Sequence, residues 1–286
     1  MRTWDVEKIV ALLAASGRAA LRHYESPEVS YKADRSIVTQ ADREIEARCA
    51  VDFDRPSEGA YLIGEETCAS RDDAYIEGAL AGTAWIVDPI DGTAPYAHHL
   101  PTWGHSIGYA EGGVIAEGAI FLPVTGEMFA TDGPRVLYAC RPGGPGAWDF
   151  SSLDDLPVKK RARDDGGIVA ITQAIAKRGV FEARNPVQAL SCAVMPMAYL
   201  CLGRYLAYIG TLSLWDFAGG LAIARKCGFL TRFLGGGEVA GRILDDCRAD
   251  AGGLARWAAR DHIIFAPSEE VAGFVAAAVS HGRAAP

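Results

Sequence analysis

The sequence predicts a mixed α/β protein in two lobes, with sheets that are not all parallel. Three observations carry this. Apolar residues recur at helical spacing near the start (Val6, Ile9, Val10, Leu13, Ala20, Leu21 and Tyr24). Short β-rich runs follow, joined by Glu111-Gly112-Gly113 and Pro123-Val124-Thr125-Gly126, which read as hairpin turns and so require antiparallel neighbours. Beyond residue 167 helical and strand patterns alternate. The length of 286 residues suits two lobes or one large domain, and 50% apolar with 22% charged residues excludes disorder, collagen-like repeats and coiled coil.

Taken in order, a long amphipathic helix is followed by the polar run Lys32-Ala33-Asp34-Arg35-Ser36 and by Ile37-Val38-Thr39-Gln40-Ala41-Asp42. A second helix is predicted from about residue 41, with Ile45, Cys49 and Phe53 inward. Residues 61–63 form a strand ending in Gly64-Glu65-Glu66, and 84–87 another ending in Asp88-Pro89-Ile90-Asp91-Gly92-Thr93. Strands over 106–110, 114–121 and 127–131 complete the first lobe. The segment 141–167 is Pro/Gly-rich and then charged, so we place the lobe boundary there, giving lobes 1–140 and 141–286. The second lobe predicts a strand over 168–172, helices near 174–180 and 191–203, a strand over 205–209 and a helix over 217–227. Strands over 229–233 and 262–266 precede a final helix with Ser268 as N-cap and Glu269 and Glu270 in its first turn.

Charge and cysteine usage exclude several classes. With 28 basic against 36 acidic residues the net charge is −8, which argues against a nucleic-acid surface. The basic run 159–163 is followed by two acids and lacks interleaved aromatics, so it reads as a solvated edge. The seven cysteines are scattered without a Cys-x-x-Cys pair, as expected of reduced thiols in a cytoplasmic protein. Asp5 and Glu7 do not suit a secretory leader, and the apolar stretch 189–202 is too short for a membrane span and contains Pro196. A soluble protein with no membrane or nucleic-acid partner is expected.

Three acidic clusters fall at the ends of predicted elements: Glu65 with Glu66, Asp88 with Asp91, and Asp216. Alone, each has an ordinary explanation. Glu65-Glu66 reads as a solvated turn, the Asp-Pro and Asp-Gly pairs as turn formers, Asp216 as a helix N-cap, and Asp42 as a surface acid at a helix start. Together they are the oxygen donors that a hard divalent cation needs. An Asp-x-x-Asp turn can aim two carboxylates and the Ile90 carbonyl into one small volume, and Gly92 lets backbone approach a ligand.

These stretches in this order resemble the inositol monophosphatase family of lithium-sensitive, magnesium-dependent phosphomonoesterases. The matching segments are Val38-Thr39-Gln40-Ala41-Asp42, Gly64-Glu65-Glu66, Trp85-Ile86-Val87-Asp88-Pro89-Ile90-Asp91-Gly92-Thr93 and Leu214-Trp215-Asp216-Phe217-Ala218-Gly219-Gly220, with a weaker Leu190-Ser191-Cys192-Ala193. The resemblance implies an α-β-α-β-α layered sandwich with metals between the lobes. It implies a first Mg²⁺ on Glu65, Asp88 and the Ile90 carbonyl, a second on Asp88, Asp91 and Asp216, and a weaker third leaning on Glu65. Phosphate would lie on the Gly92 and Thr93 amides, and Asp42, Thr93 and Glu65 would orient and deprotonate the attacking water. Asp91, Ser191, Cys192 and Asp216 would border the substrate, a small phosphorylated metabolite, and the assembly would be a homodimer.

The pattern departs at Ala94-Pro95, where the family often has Thr-Asn, and at Ile209, where inositol phosphatases usually place a hydroxyl-binding Glu. Leu190 stands where a Gly often lies. The segments 32–39 and 100–104 look more like histidinol-phosphate and phosphoadenosine (nucleotide 3′-) phosphatases, which are the alternative substrates. A catalytically idle binding or regulatory relative would have lost metal ligands, yet Asp42, Glu65, Asp88, Asp91, Thr93 and Asp216 are all present.

Overall fold

The computed structural model describes residues 1, 3–32 and 36–281, so 33–35 of the predicted polar run lie outside it. Helices Val6–Tyr24 and Gln40–Phe53 form one outer layer. They pack on a seven-stranded sheet whose strands follow chain order: Ala60–Gly64, Thr83–Asp91, Gly104–Glu111, Val114–Leu122, Glu127–Asp132, Arg135–Cys140 and Asp154–Asp155. The first pair is parallel and every later pair antiparallel, as the hairpin turns require.

Alternation along the strands divides the core. Trp85, Val87, Ile107, Tyr109, Ala119 and Phe121 meet Ile9, Leu13, Ile45 and Phe53 of the outer helices. Ala84, Ile86, Ala110, Ile120 and Leu122 face the opposite side, against helices Val194–Cys201 and Leu214–Lys226. Those two helices are buried nearly all round, which explains their weak amphipathic signal.

Beneath them lies a five-stranded sheet in the order Val187–Gln188, Val169–Ile171, Ala207–Gly210, Ile263–Ala266 and Leu230–Phe233. Its far face (Val169, Ile171, Ala207, Ile209, Ile264 and Ala266) carries Ile175 and the final helix, Glu269–Ala278, through Val271, Ala272 and Val275. The architecture is therefore the α-β-α-β-α sandwich, with mixed sheets.

Helix Leu214–Lys226 approaches the large sheet closely because the residues it presents there, Ala218 and Gly219, are small. A Cβ on Gly219 would stand 2.6 Å from Ser106 Oγ and 3.0 Å from the Ile107 carbonyl oxygen. This approach brings the start of that helix to the end of strand Thr83–Asp91.

Several expectations shift. The helix predicted over 217–227 begins at Leu214, so its N-cap is Ser213 and Asp216 occupies the first turn. The helix near 174–180 ends at Arg178 and becomes a short strand, Gly179–Phe181, paired with Val279–His281. Helix Asp73–Ala81 and strand Arg135–Cys140 were not predicted. Ser268 does cap the final helix, accepting from the Val271 amide.

Candidate active site

Strand Thr83–Asp91 is buried from Ala84 to Asp91, and its end carries the acids. Its register against the neighbouring strand breaks between Asp88, which opposes Ser106, and Asp91, which opposes Gly104. Two residues, Pro89 and Ile90, thus face His105 alone, the arrangement of a β-bulge. Without it, residues three apart on a strand would point to opposite faces. The His105 ring hydrogen-bonds the Pro89 carbonyl through Nδ1. A carbonyl can only accept, so Nδ1 carries the proton, and burial lowers the His105 pKa to about 4.

Carboxylate oxygens of Asp88, Asp91 and Asp216 lie within 4.8 Å of one another. Asp91 is held by the start of helix Val194–Cys201, where its Oδ2 accepts from the Ala193 amide at 2.6 Å, the Val194 amide at 2.5 Å and the Cys192 thiol at 3.2 Å. Asp216 is held by a capping box, accepting from the Ser213 amide at 2.7 Å. Asp88 Oδ1 is buried without a partner among the described residues. Burial first, then repulsion among neighbouring carboxylates, raises Asp88 and Asp216 well above the usual carboxylate range. Burial likewise raises Asp91, to about 6, against the pull of its amide donors. Two buried acids and a half-buried third, which raise one another's proton affinity, form a donor set that could hold a hard cation.

Asp42 is buried, not a surface acid. It lies in the first turn of helix Gln40–Phe53, where Oδ2 accepts from the Thr39 amide at 2.8 Å and the Thr39 hydroxyl at 2.5 Å. Burial raises its pKa to about 7. Its other oxygen faces the Thr93 hydroxyl at 3.3 Å, and Thr93 Oγ1 also lies 3.1 Å from the Ile90 carbonyl. Gly92 bends the chain between them with φ of 92°, and Thr93 opens a single-turn helix, Thr93–Ala97. A Cβ on Gly92 would meet the Thr102 carbonyl at 2.8 Å, so the turn needs glycine on both counts.

Glu65 lies outside the three-acid group and pairs with Lys32, whose Nζ is 2.8 Å from Glu65 and 2.7 Å from Glu66. The Glu65 charge still contributes to the raised Asp88 pKa. Buried Glu46, one helical turn beyond Asp42, accepts from the Glu66 amide at 2.8 Å and fixes this loop.

Asp91 and Asp216 form one wall of a cavity of about 270 Å³, lined also by Thr172, Gln173, Ser191, Cys192, Tyr208, Thr211 and Leu212. Ser191 is exposed with φ of 56°, and Cys192 is buried beneath it. Ile209 does not reach this cavity. It faces the core behind the small sheet, and its neighbours Tyr208 and Thr211 line the space.

Sequence reasoning missed Lys32, Glu46 and Tyr208 as site neighbours. For Glu46 a signal existed: it follows Asp42 by four residues, on the same helix face. His105, which its place in the sequence sets near the acidic loop, packs in the core with its ring on a backbone carbonyl.

Comparison with known proteins agrees with this geometry. The profile described as "Inositol monophosphatase family" matches residues 5–271. The chain is 29% identical to an inositol-1-monophosphatase of Mesorhizobium japonicum over 238 residues, 78% of this chain and 83% of that protein. It is 26% identical over 207 residues to a fructose-1,6-bisphosphatase/inositol-1-monophosphatase of Thermotoga maritima, covering 72% and 74%. Among solved structures, an IMPase of Thermotoga maritima superposes with a TM-score of 0.63 at 21% identity, covering 94% of this chain and 96% of that one.

Proposed function

The chain belongs to the inositol monophosphatase family, and from that premise we propose that it is a Mg²⁺-dependent hydrolase of a small, uncharged polyol or sugar phosphate. The observation that carries the reading is the set of three carboxylates, buried Asp88 and Asp91 with half-buried Asp216, whose oxygens lie within 4.8 Å and of which one Asp88 oxygen has no partner among the described residues. Asp88, Asp91 and Asp216 would hold Mg²⁺, with Glu65 and the Ile90 carbonyl completing the set for two or three ions. Bound there, Mg²⁺ would supply positive charge against the phosphoryl and leaving oxygens.

The chain's own residues supply positioning. Asp42 is set to accept the Thr93 hydroxyl hydrogen, which leaves a Thr93 lone pair to orient a water for in-line attack. Glu65 would take the proton of that water, after its carboxylate exchanges Lys32 for the site. The Gly92 and Thr93 amides would receive phosphate oxygens. Besides Asp91 and Asp216, the cavity presents uncharged polar groups from Thr172, Gln173, Ser191, Tyr208 and Thr211, which suit hydroxyls. Among the described residues no further carboxylate lines it to receive the ammonium of histidinol phosphate.

The test is phosphate release from inositol phosphates, glycerol phosphates, fructose bisphosphate, histidinol phosphate and phosphoadenosine phosphate, with Mg²⁺ and with EDTA. Turnover of the polyol and sugar esters that EDTA abolishes is expected. Activity surviving chelation overturns the metal reading, and a clear preference for histidinol phosphate or the nucleotide overturns the substrate class. Inhibition by lithium and a dimer mass in solution would extend the reading to two further family traits.

A further inference from the structure

The cavity beside Asp91 and Asp216 is lined by Tyr208, from strand Ala207–Gly210 of the small sheet. Side chains alternate along that strand, so Ala207 and Ile209 enter the core behind the sheet while Tyr208 and Gly210 share the opposite face. Tyr208 is only 1% exposed, yet it borders the cavity. Its ring is fixed by Phe265, the residue opposite it on strand Ile263–Ala266, with ring centres 6.0 Å apart and planes inclined by 24°. Gly210 leaves the space that Thr172 fills, since a Cβ there would stand 2.0 Å from Thr172 Cγ2.

The polar groups of this cavity divide by whether the protein already engages them. The Gln173 amide donates to the Ala189 carbonyl at 2.8 Å, and the Thr211 hydroxyl lies 3.2 Å from His262 Nδ1. Thr172 Oγ1 is buried and has no partner among the described residues. The Tyr208 hydroxyl has no hydrogen-bond partner among them either. Burial first, then the nearby Asp91 and Asp216 charges, push this phenol well above its ordinary range, so it keeps its proton. A buried phenol with an uncommitted hydrogen forfeits the bonds it would make to water unless something in the cavity accepts one.

We propose that Tyr208 is a specificity-determining residue, whose hydroxyl donates a hydrogen bond to an oxygen of the alcohol part of the phosphate ester. The assignment rests on the phosphatase reading and names the group that selects the alcohol. In that reading the carboxylates serve the metal and phosphoryl end, which leaves the phenol for the part of the substrate that departs. Because its ring sits on a strand and is packed on Phe265, the donor is in place before the substrate arrives. The bond forms to the bound ester and to the departing alcohol alike, so it strengthens binding without speeding P–O cleavage. An ester whose alcohol carries no further oxygen leaves the phenol unpaired and is disfavoured. In the empty protein the same hydroxyl adds nothing to stability, since it has no partner to lose.

The experiment compares the wild-type chain with Tyr208→Phe, which removes one oxygen and keeps the ring. Initial rates at saturating Mg²⁺ use whichever of inositol 1-phosphate and glycerol 2-phosphate the wild type hydrolyses better, with inorganic phosphate as inhibitor. The variant should show a KM raised about three- to tenfold, the worth of one neutral hydrogen bond, with kcat unchanged. The inhibition constant of inorganic phosphate, which has no alcohol part, should not move. In EDTA the variant should unfold at no lower temperature than wild type. An unchanged KM, a parallel loss of phosphate affinity or earlier unfolding would overturn the Tyr208 assignment, while wild-type turnover keeps the phosphatase reading standing. Absence of Mg²⁺-dependent turnover of any ester by the wild type would overturn both.

Discussion

Replacing Asp88 by Asn should stabilise the metal-free protein while removing its response to Mg²⁺. Asp88 is buried, one of its oxygens has no partner among the described residues, and two more acids lie within 4.8 Å. At an effective dielectric of about 20, two full charges roughly 5 Å apart repel by about 3 kcal/mol. The three acids share protons near neutrality, because their pKa values are raised, so only part of that repulsion is present. Neutralising Asp88 should therefore add about 1–3 kcal/mol, a rise of roughly 2–5 °C in Tm for a chain of this size. Wild-type protein should instead gain about 3 kcal/mol from Mg²⁺ at a hundredfold excess over its Kd. Thermal unfolding at pH 7.5 with EDTA and then with Mg²⁺ measures both, and phosphate release gives the parallel loss of turnover. A metal-free variant no more stable than wild type, still stabilised by Mg²⁺, would refute the assignment.

Three more outcomes follow from the geometry. His105 is neutral and buried with a pKa of about 4 against 6.5 unfolded, so its contribution is present above pH 6.5 and lost as pH falls toward 4. The stability advantage of wild type over His105→Gln in urea unfolding should shrink by about 3 kcal/mol across that window, and a constant gap would argue against the assignment. Gly219→Ala should cost about 1–3 kcal/mol through the clash with Ser106 Oγ and the Ile107 carbonyl, and should raise the Mg²⁺ concentration needed for stabilisation, because Asp216 lies on the same helix. Arg204→Ala removes the 2.7 Å partner of buried Glu127 but leaves the Tyr138 and Tyr199 hydroxyls on it. A loss of about 1–2 kcal/mol is expected, with turnover at saturating Mg²⁺ unchanged.

Much of the fold was legible because burial imposes periodicity. The 3.6-residue pattern of Val6–Tyr24 and the turns around residues 112 and 125 each name their element. Helix Val194–Cys201 was harder to delimit, since a helix buried all round shows no polar face to mark its limits. Its predicted span of 191–203 overran both ends. Asp73–Ala81 and Arg135–Cys140 were missed altogether. At the site, the acids were legible as residue types at element ends, but their environments were not. Asp42 read alone as a surface acid and is buried, and Ile209 read as a substrate-side position and lies in a core.

Residue chemistry and local spacing are properties of the chain alone, and they were enough to name the acids, the Gly92 turn and the family. Which oxygens share one volume depends on long-range geometry. Asp88 and Asp91 converge through a bulge latched by His105, and Asp216 joins them from more than a hundred residues away because Gly219 lets its helix lie against the sheet. Glu65, which the resemblance groups with Asp88, is instead held by Lys32. Such placements come from packing between distant segments, whose outcome no local pattern encodes, so proton affinities and free ligand positions emerge only once the layers are stacked.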